Sequence, residues 1–108
     1  MRDGLYKVEF QTKLGMGAGV VHMLGGKIWG GDSALYYIGT YRLEGNRFTA
    51  SVSTNRHASD PSIRSVFGVD RVTISLEGVT DGDTGVMTGK AAEAPGVTFQ
   101  ARLVRISD

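Results

Sequence analysis

His22 and His57 are the chain's only histidines, and no cysteine accompanies them. Zinc sites take three or four protein ligands, with histidine and cysteine predominating. Two histidines on separate segments therefore fall short of a metal centre; His22 reads as an outer-face strand residue and His57 as a loop residue. The lack of cysteine also excludes disulfides, thiolate nucleophiles and iron–sulfur ligation. Ser59, His57 and Asp60 supply the residue types of a hydrolase triad, but a triad is a spatial arrangement that neighbours in one loop rarely provide. No Gly-x-Ser-x-Gly turn is present to expose a nucleophile. These residues read as turn and capping groups.

Two further patterns resolve the same way. Asp81 and Asp83 flank Gly82 but lack the extra oxygen ligands and closing glutamate of a calcium loop, so a solvated turn is expected. Gly15-Met16-Gly17-Ala18-Gly19 has the glycine density of a phosphate loop. Such loops work by aiming a helix N-terminus at phosphate, whereas Val20-Val21-His22-Met23-Leu24 follows here as a strand signal. An enzyme would have to gather Arg42, Glu44, Arg56 and His57 at one end of the fold. No motif unites them, and the chain reads as a non-enzyme without a cofactor.

The elements that carry these residues show period-two alternation bounded by turn residues. Tyr6, Val8 and Phe10 share one face; the next runs are 17–24 and 27–31, joined by Gly25-Gly26, a dipeptide suited to a two-residue hairpin turn. Run 35–43 puts Tyr37, Gly39, Tyr41 and Leu43 on one face, and run 48–54 does so with Phe48, Ala50 and Val52. Alternation resumes at 71–77 with Val72, Ile74 and Leu76, continues through a small-residue run at 85–91, and ends at 97–103 with Val97, Phe99, Ala101 and Leu103. Residues 55–69 have no period. Ser59 or Asp60 followed by Pro61 predicts a capped helical turn there, within a long connection that covers one end of the fold.

The chain has 108 residues with a hydrophobic fraction of 41% and a net charge of +1, which suits one folded domain, 1–108, and excludes a disordered chain. Twelve basic residues against eleven acidic ones give no electrostatic reason to expect nucleic acid. No apolar run approaches the roughly 20 residues of a membrane-spanning helix, and the opening residues lack a secretory pattern. A cytoplasmic location is expected. Eight one-sided runs can be buried as a sandwich or a closed barrel. The sixteen glycines, several inside the runs, favour barrel corners. The expected fold is all-β: a closed antiparallel eight-stranded barrel, with a longer loop or short helix between strands five and six.

Several residues, in order, carry a family resemblance: Met1-Arg2-Asp3-Gly4-Leu5-Tyr6, Gly17-x-Gly19 before an apolar strand, Gly25, Ile28-x-Gly30-Gly31-Asp32, and Tyr37-x-Gly39. Over about residues 1–45 the chain resembles the GrlR family, negative regulators of type III secretion genes. The resemblance implies a lipocalin-like barrel that tends to form homodimers and regulates by binding a protein, an activator of transcription, rather than DNA. The family's acidic loop after strand four corresponds here to Arg42-Leu43-Glu44-Gly45-Asn46, with a single acid. Arg42, Glu44 and Asn46 are thus the partner-loop candidates, and the resemblance leaves the partner open.

Two functions follow from these readings. One is a regulatory or interaction protein; Trp29, out of phase with Ile28, either anchors such an interface or closes one barrel end. The other is a carrier or sensor of a small apolar ligand, held beside Tyr41, Phe48, Met87 and Phe99 where small inward residues such as Gly39, Ala50, Gly85, Gly89 and Ala101 leave room.

Overall fold

The computed structural model describes residues 1–60 and 62–108. Its strands are β1 (Gly4–Thr12), β2 (Gly15–Leu24), β3 (Lys27–Gly31), β4 (Leu35–Glu44), β5 (Arg47–Arg56), β6 (Val72–Asp81), β7 (Thr84–Ala91) and β8 (Phe99–Ser107). Each pairs antiparallel with its neighbours in sequence, and β1 pairs with β8 to close the barrel. Alternating side chains follow from the pleat. Val8, Phe48, Val52, Ile74, Met87, Phe99, Ala101 and Leu103 point inward and are buried, while their chain neighbours face out.

Antiparallel succession gives the barrel two unlike ends. At the turn end lie both termini and the two-residue turns 25–26, 45–46 and 82–83. Gly25 and Gly26 have φ of 58° and 86° there, the left-handed conformation that a tight hairpin needs and glycine adopts without strain. Tyr41 stacks on Phe48 with ring centroids 5.6 Å apart, and Met1 packs on the core beside them. Arg2 forks onto Asp83 at 3.1 and 2.6 Å, and Arg105 Nε donates to the Asp3 carbonyl at 3.0 Å. The N-terminal residues thereby shut this end.

At the loop end lie connections 13–14, 32–34, 57–71 and 92–98. The expected helical turn is not present among the described residues of the long loop. Asp60 holds a local turn instead of capping a helix: its Oδ1 accepts from Ser62 N at 3.0 Å and Ser62 Oγ at 2.6 Å, and Ile63 N donates to the Asp60 carbonyl at 3.1 Å. Arg56 binds the chain on either side of this turn, donating to the Ala58 carbonyl at 3.0 Å and the Ile63 carbonyl at 2.8 Å. Pro61, on which the helix expectation partly rested, lies outside the described residues.

Strand limits differ from the sequence reading mainly in β6 and β8. β6 runs on through Gly78 to Asp81, and β8 starts at Phe99, leaving Val97 buried in the preceding loop. Gly78 sits between Phe48 of β5 and Met87 of β7. A Cβ there would meet Met87 Cα at 2.8 Å and the Val86 carbonyl closer still, and backbone cannot swing aside as a side-chain tip can. Gly78→Val should therefore cost about 1–3 kcal/mol and lower the melting temperature by roughly 4–8 °C per kcal/mol. Thermal unfolding followed by circular dichroism checks this; an unchanged midpoint would mean that the strands do not approach so closely.

Candidate functional site

Inside the barrel, above the Tyr41–Phe48 floor, lies an apolar cavity of about 220 Å³. Phe48, Met87 and Leu103 line its deep part, and Val8, Val52 and Ile74 its middle. Space remains because Ala101 faces inward between Phe10 of β1 and Met87 of β7, where a longer side chain would fill the tube. Toward the loop end the wall becomes aromatic. Phe99 stacks on Phe10 at 5.6 Å and on Phe67 at 5.4 Å, and Tyr37 meets Phe10 edge-on at 6.4 Å.

Phe67 comes from the long loop, which bends over the opening and is tied down by half-buried polar bonds. The Arg56 guanidinium grips Asp70 with two bonds of 2.9 Å, and its remaining N–H groups hold loop carbonyls. Thr54 Oγ1 donates to the Asp70 carbonyl at 2.7 Å, and Thr12 Oγ1 donates to the Val66 carbonyl. Donation from Arg56 holds the Asp70 carboxyl below the usual carboxylate range. The mouth stays open between this loop, the start of β2 and the 32–34 connection, with Met16, Gly17, Asp32, Ser33, Arg64 and Ser65 around it.

Asp32 shapes its side of the mouth. Its Oδ1 accepts from Ala34 N at 2.9 Å and Leu35 N at 2.8 Å, and its Oδ2 accepts from the Tyr37 hydroxyl. The Asp32 carbonyl lies 2.8 Å from His57 Nε2, so that nitrogen carries the proton, a carbonyl being able only to accept. Burial pushes the Tyr37 hydroxyl far above the ordinary phenol range, with the bond to Asp32 and its negative charge adding to the effect.

The structure separates several residues that the sequence offered together. Phe48, Met87 and Phe99 line the cavity, but Tyr41 lies below it, its hydroxyl 3.3 Å from Asp3. Arg42 and Glu44 form an exposed ion pair at 3.8 Å near the turn end, and the Asn46 carbonyl accepts from Thr80 N at 2.8 Å. Arg56 and His57 are at the opposite end, with the length of β5 between the two pairs. The four residues that an enzyme site would need thus never meet. His57 faces Asp32 while Asp60 is taken by Ser62, so no triad forms with Ser59 either. Among the described residues, no three histidines or carboxylates cluster as metal ligands would. Sequence reasoning gave Phe67 an inward position and the loop a covering role, but did not place Val66 and Phe67 on the cavity wall and missed the Asp32–Tyr37 bond. The adjacent apolar pair Val66-Phe67, with Ile63 shortly before it, was the signal that this loop packs back onto the barrel.

No protein-family model matches this chain, and no curated protein matches it.

Stability at high pH reports on the Tyr37 bond. Its folded pKa is raised above the ordinary value of 10.0, so the stabilisation is fully present below pH 10 and is lost as the pH climbs beyond it. Each such proton steepens the loss by about 1.4 kcal/mol per pH unit. Tyr37→Phe should remove one proton's worth of slope above about pH 10, leaving the smaller contributions of Tyr6 and Tyr41, whose pKa values are also raised by burial. Urea unfolding between pH 9 and 11 (a window set by the phenol pKa) measures it; equal slopes for both proteins would contradict this assignment.

Proposed function

We propose that this protein is a non-enzymatic barrel that carries or senses one small apolar molecule in its interior. The cavity carries the reading: about 220 Å³, mostly apolar along its depth, shut at the turn end and open beneath the long loop. An apolar cavity of ~150 Å³ already takes up benzene, so the volume is sufficient for a single small ligand. Eight antiparallel strands in sequence order enclosing a one-ligand space is the arrangement of lipocalin-like barrels, and this description suits the chain. Asp32, Thr54 and Ser65, three of the polar residues on the cavity lining, are engaged in holding the backbone of the loop end, which supports binding rather than turnover.

A second reading has its own observation. On the outer wall, Leu5, His22, Trp29 and Ile38 stand directly opposite one another across β1 to β4. Trp29 is 40% exposed and Ile38 54% exposed, with Val20 and Tyr36 in the next row. The outer wall of β5 and β6, by contrast, presents Ser51, Ser53, Thr73 and Ser75. An aromatic anchor in an apolar surround is the usual centre of a protein interface. The wall supports a GrlR-like role, with a protein partner or a second copy docking there and with Arg42, Glu44 and Asn46 at one edge. A cytoplasmic setting accords with both readings, and the two are compatible, because the cavity and the wall are separate surfaces.

A neutral fluorescent probe, N-phenyl-1-naphthylamine, should bind saturably with one site per chain. Ala101→Phe, which fills the tube, should weaken it by at least about tenfold while the far-ultraviolet circular dichroism stays unchanged. Equal binding by both proteins would place the probe elsewhere and remove the support for an interior site. For the second reading, sedimentation equilibrium should show self-association or partner binding that Trp29→Ser abolishes without altering probe affinity. Association untouched by that substitution would exclude this wall.

A further inference from the structure

The charges around the mouth differ in how they are used. Among the described residues lining the cavity, two are of charged types, Asp32 and Arg64. Asp32 accepts three hydrogen bonds from this chain and has little capacity left. Arg64 has neither an ion pair nor a side-chain hydrogen bond among the described residues, although Asp60 and Asp70 lie on the same outer groove as Arg64. Asp60 is engaged by Ser62, Asp70 by Arg56, and Glu93 Oε1 by Thr73 N at 3.2 Å. The neighbouring cation Arg56 is consumed in tying down the loop. What remains on the lining near the opening is Arg64, together with Ser33 and Ser65, over a body that is apolar apart from Thr54, whose hydroxyl is taken by the Asp70 carbonyl.

We propose, on the strength of the ligand-binding reading above, that the ligand is an amphiphilic monoanion, a medium-chain carboxylate whose head pairs with Arg64 and whose tail enters the barrel. A guanidinium presents paired N–H groups in the spacing of a carboxylate's two oxygens, and the one cationic residue among the described lining residues matches a single negative charge. The tail length follows from the volume. If a methylene occupies about the 30 Å³ of a liquid water molecule, a cavity of about 220 Å³ holds roughly seven carbons, so octanoate fits. The tail would run down past Phe99 toward Met87, and the aromatic cluster of Phe10, Phe67 and Phe99 would surround its upper part.

Isothermal titration with octanoate, octanol and octyltrimethylammonium, all below their micellar concentrations, tests this on the full chain, wild type and Arg64→Gln. Arg64 is exposed and makes no structural bond among the described residues, so the substitution should leave the fold intact, which circular dichroism verifies. The expected result is that octanoate binds more tightly than octanol, that Arg64→Gln weakens octanoate by about tenfold, and that octanol is unaffected. Arg64→Lys should recover part of the loss, since it restores charge without the planar fork. Octanol binding as tightly as octanoate, with no effect of Arg64→Gln, would overturn the anionic head group and leave the apolar cavity standing. Preference for octyltrimethylammonium would overturn it too, and would assign the head group to Asp32. If none of the three ligands enters, the ligand-binding reading falls, and this inference with it.

Discussion

The hydrogen-bonded ladder between β1 and β8, from Gln11 opposite Gln100 to Leu5 opposite Ser107, is the constraint on which the molecule rests. Without it the sheet would expose two edges of unpaired N–H and C=O groups and two ends of an apolar face. With it, every strand has two neighbours, and the inward side chains of all eight meet around one axis. A chain of this size has little apolar area to bury, so closing the sheet on itself is an economical way to give each strand a buried face. Close passage of strands at Gly78 permits the tight curvature. The N-terminus contributes as well, since Arg2 and the Asp3 carbonyl bind groups on the β6–β7 turn and on β8 beside the seam.

Closure alone would produce a filled tube. The cavity arises because inward positions are unequally occupied: Phe48, Met87 and Phe99 are large, while Ala101 and Gly89 are small and lie near them. The two ends also receive different treatment. Tight turns and stacked rings seal one, whereas a loop held by Arg56, Asp70 and Thr54 spans the other. The loop contributes Phe67 to the cavity wall and Arg64 to its rim. Fold, enclosure and candidate ligand chemistry are therefore linked through a few polar bonds beneath one connection.

How far the sequence could be read depended on whether an interaction was local or distant. Strands β3 and β4 were legible almost to the residue, because Ile28 and the Tyr37, Gly39, Tyr41, Leu43 set alternate cleanly between glycine turns. β6 was cut short at Glu77 since Gly78 and Val79 break the apolar phase, although the ladder with β5 and β7 carries the strand past them. Trp29 was correctly singled out as out of phase, but only the fold distinguishes the outer wall from a barrel end. Tyr41 has the right face and the wrong depth for the cavity: alternation reports the side of a sheet and says nothing about height along a barrel. The loop was least legible. Its order comes from a guanidinium reaching carbonyls and a carboxylate up to 14 positions away, which leaves no periodic trace.

The account depends most directly on a dry, reachable apolar space inside the barrel. Diffraction from crystals pressurised with xenon tests it, because xenon occupies apolar cavities without any polar recognition. The account predicts xenon among Phe10, Met87, Phe99 and Ala101. An interior closed by repacked Met87 and Phe67, with no xenon in it, would contradict the claim.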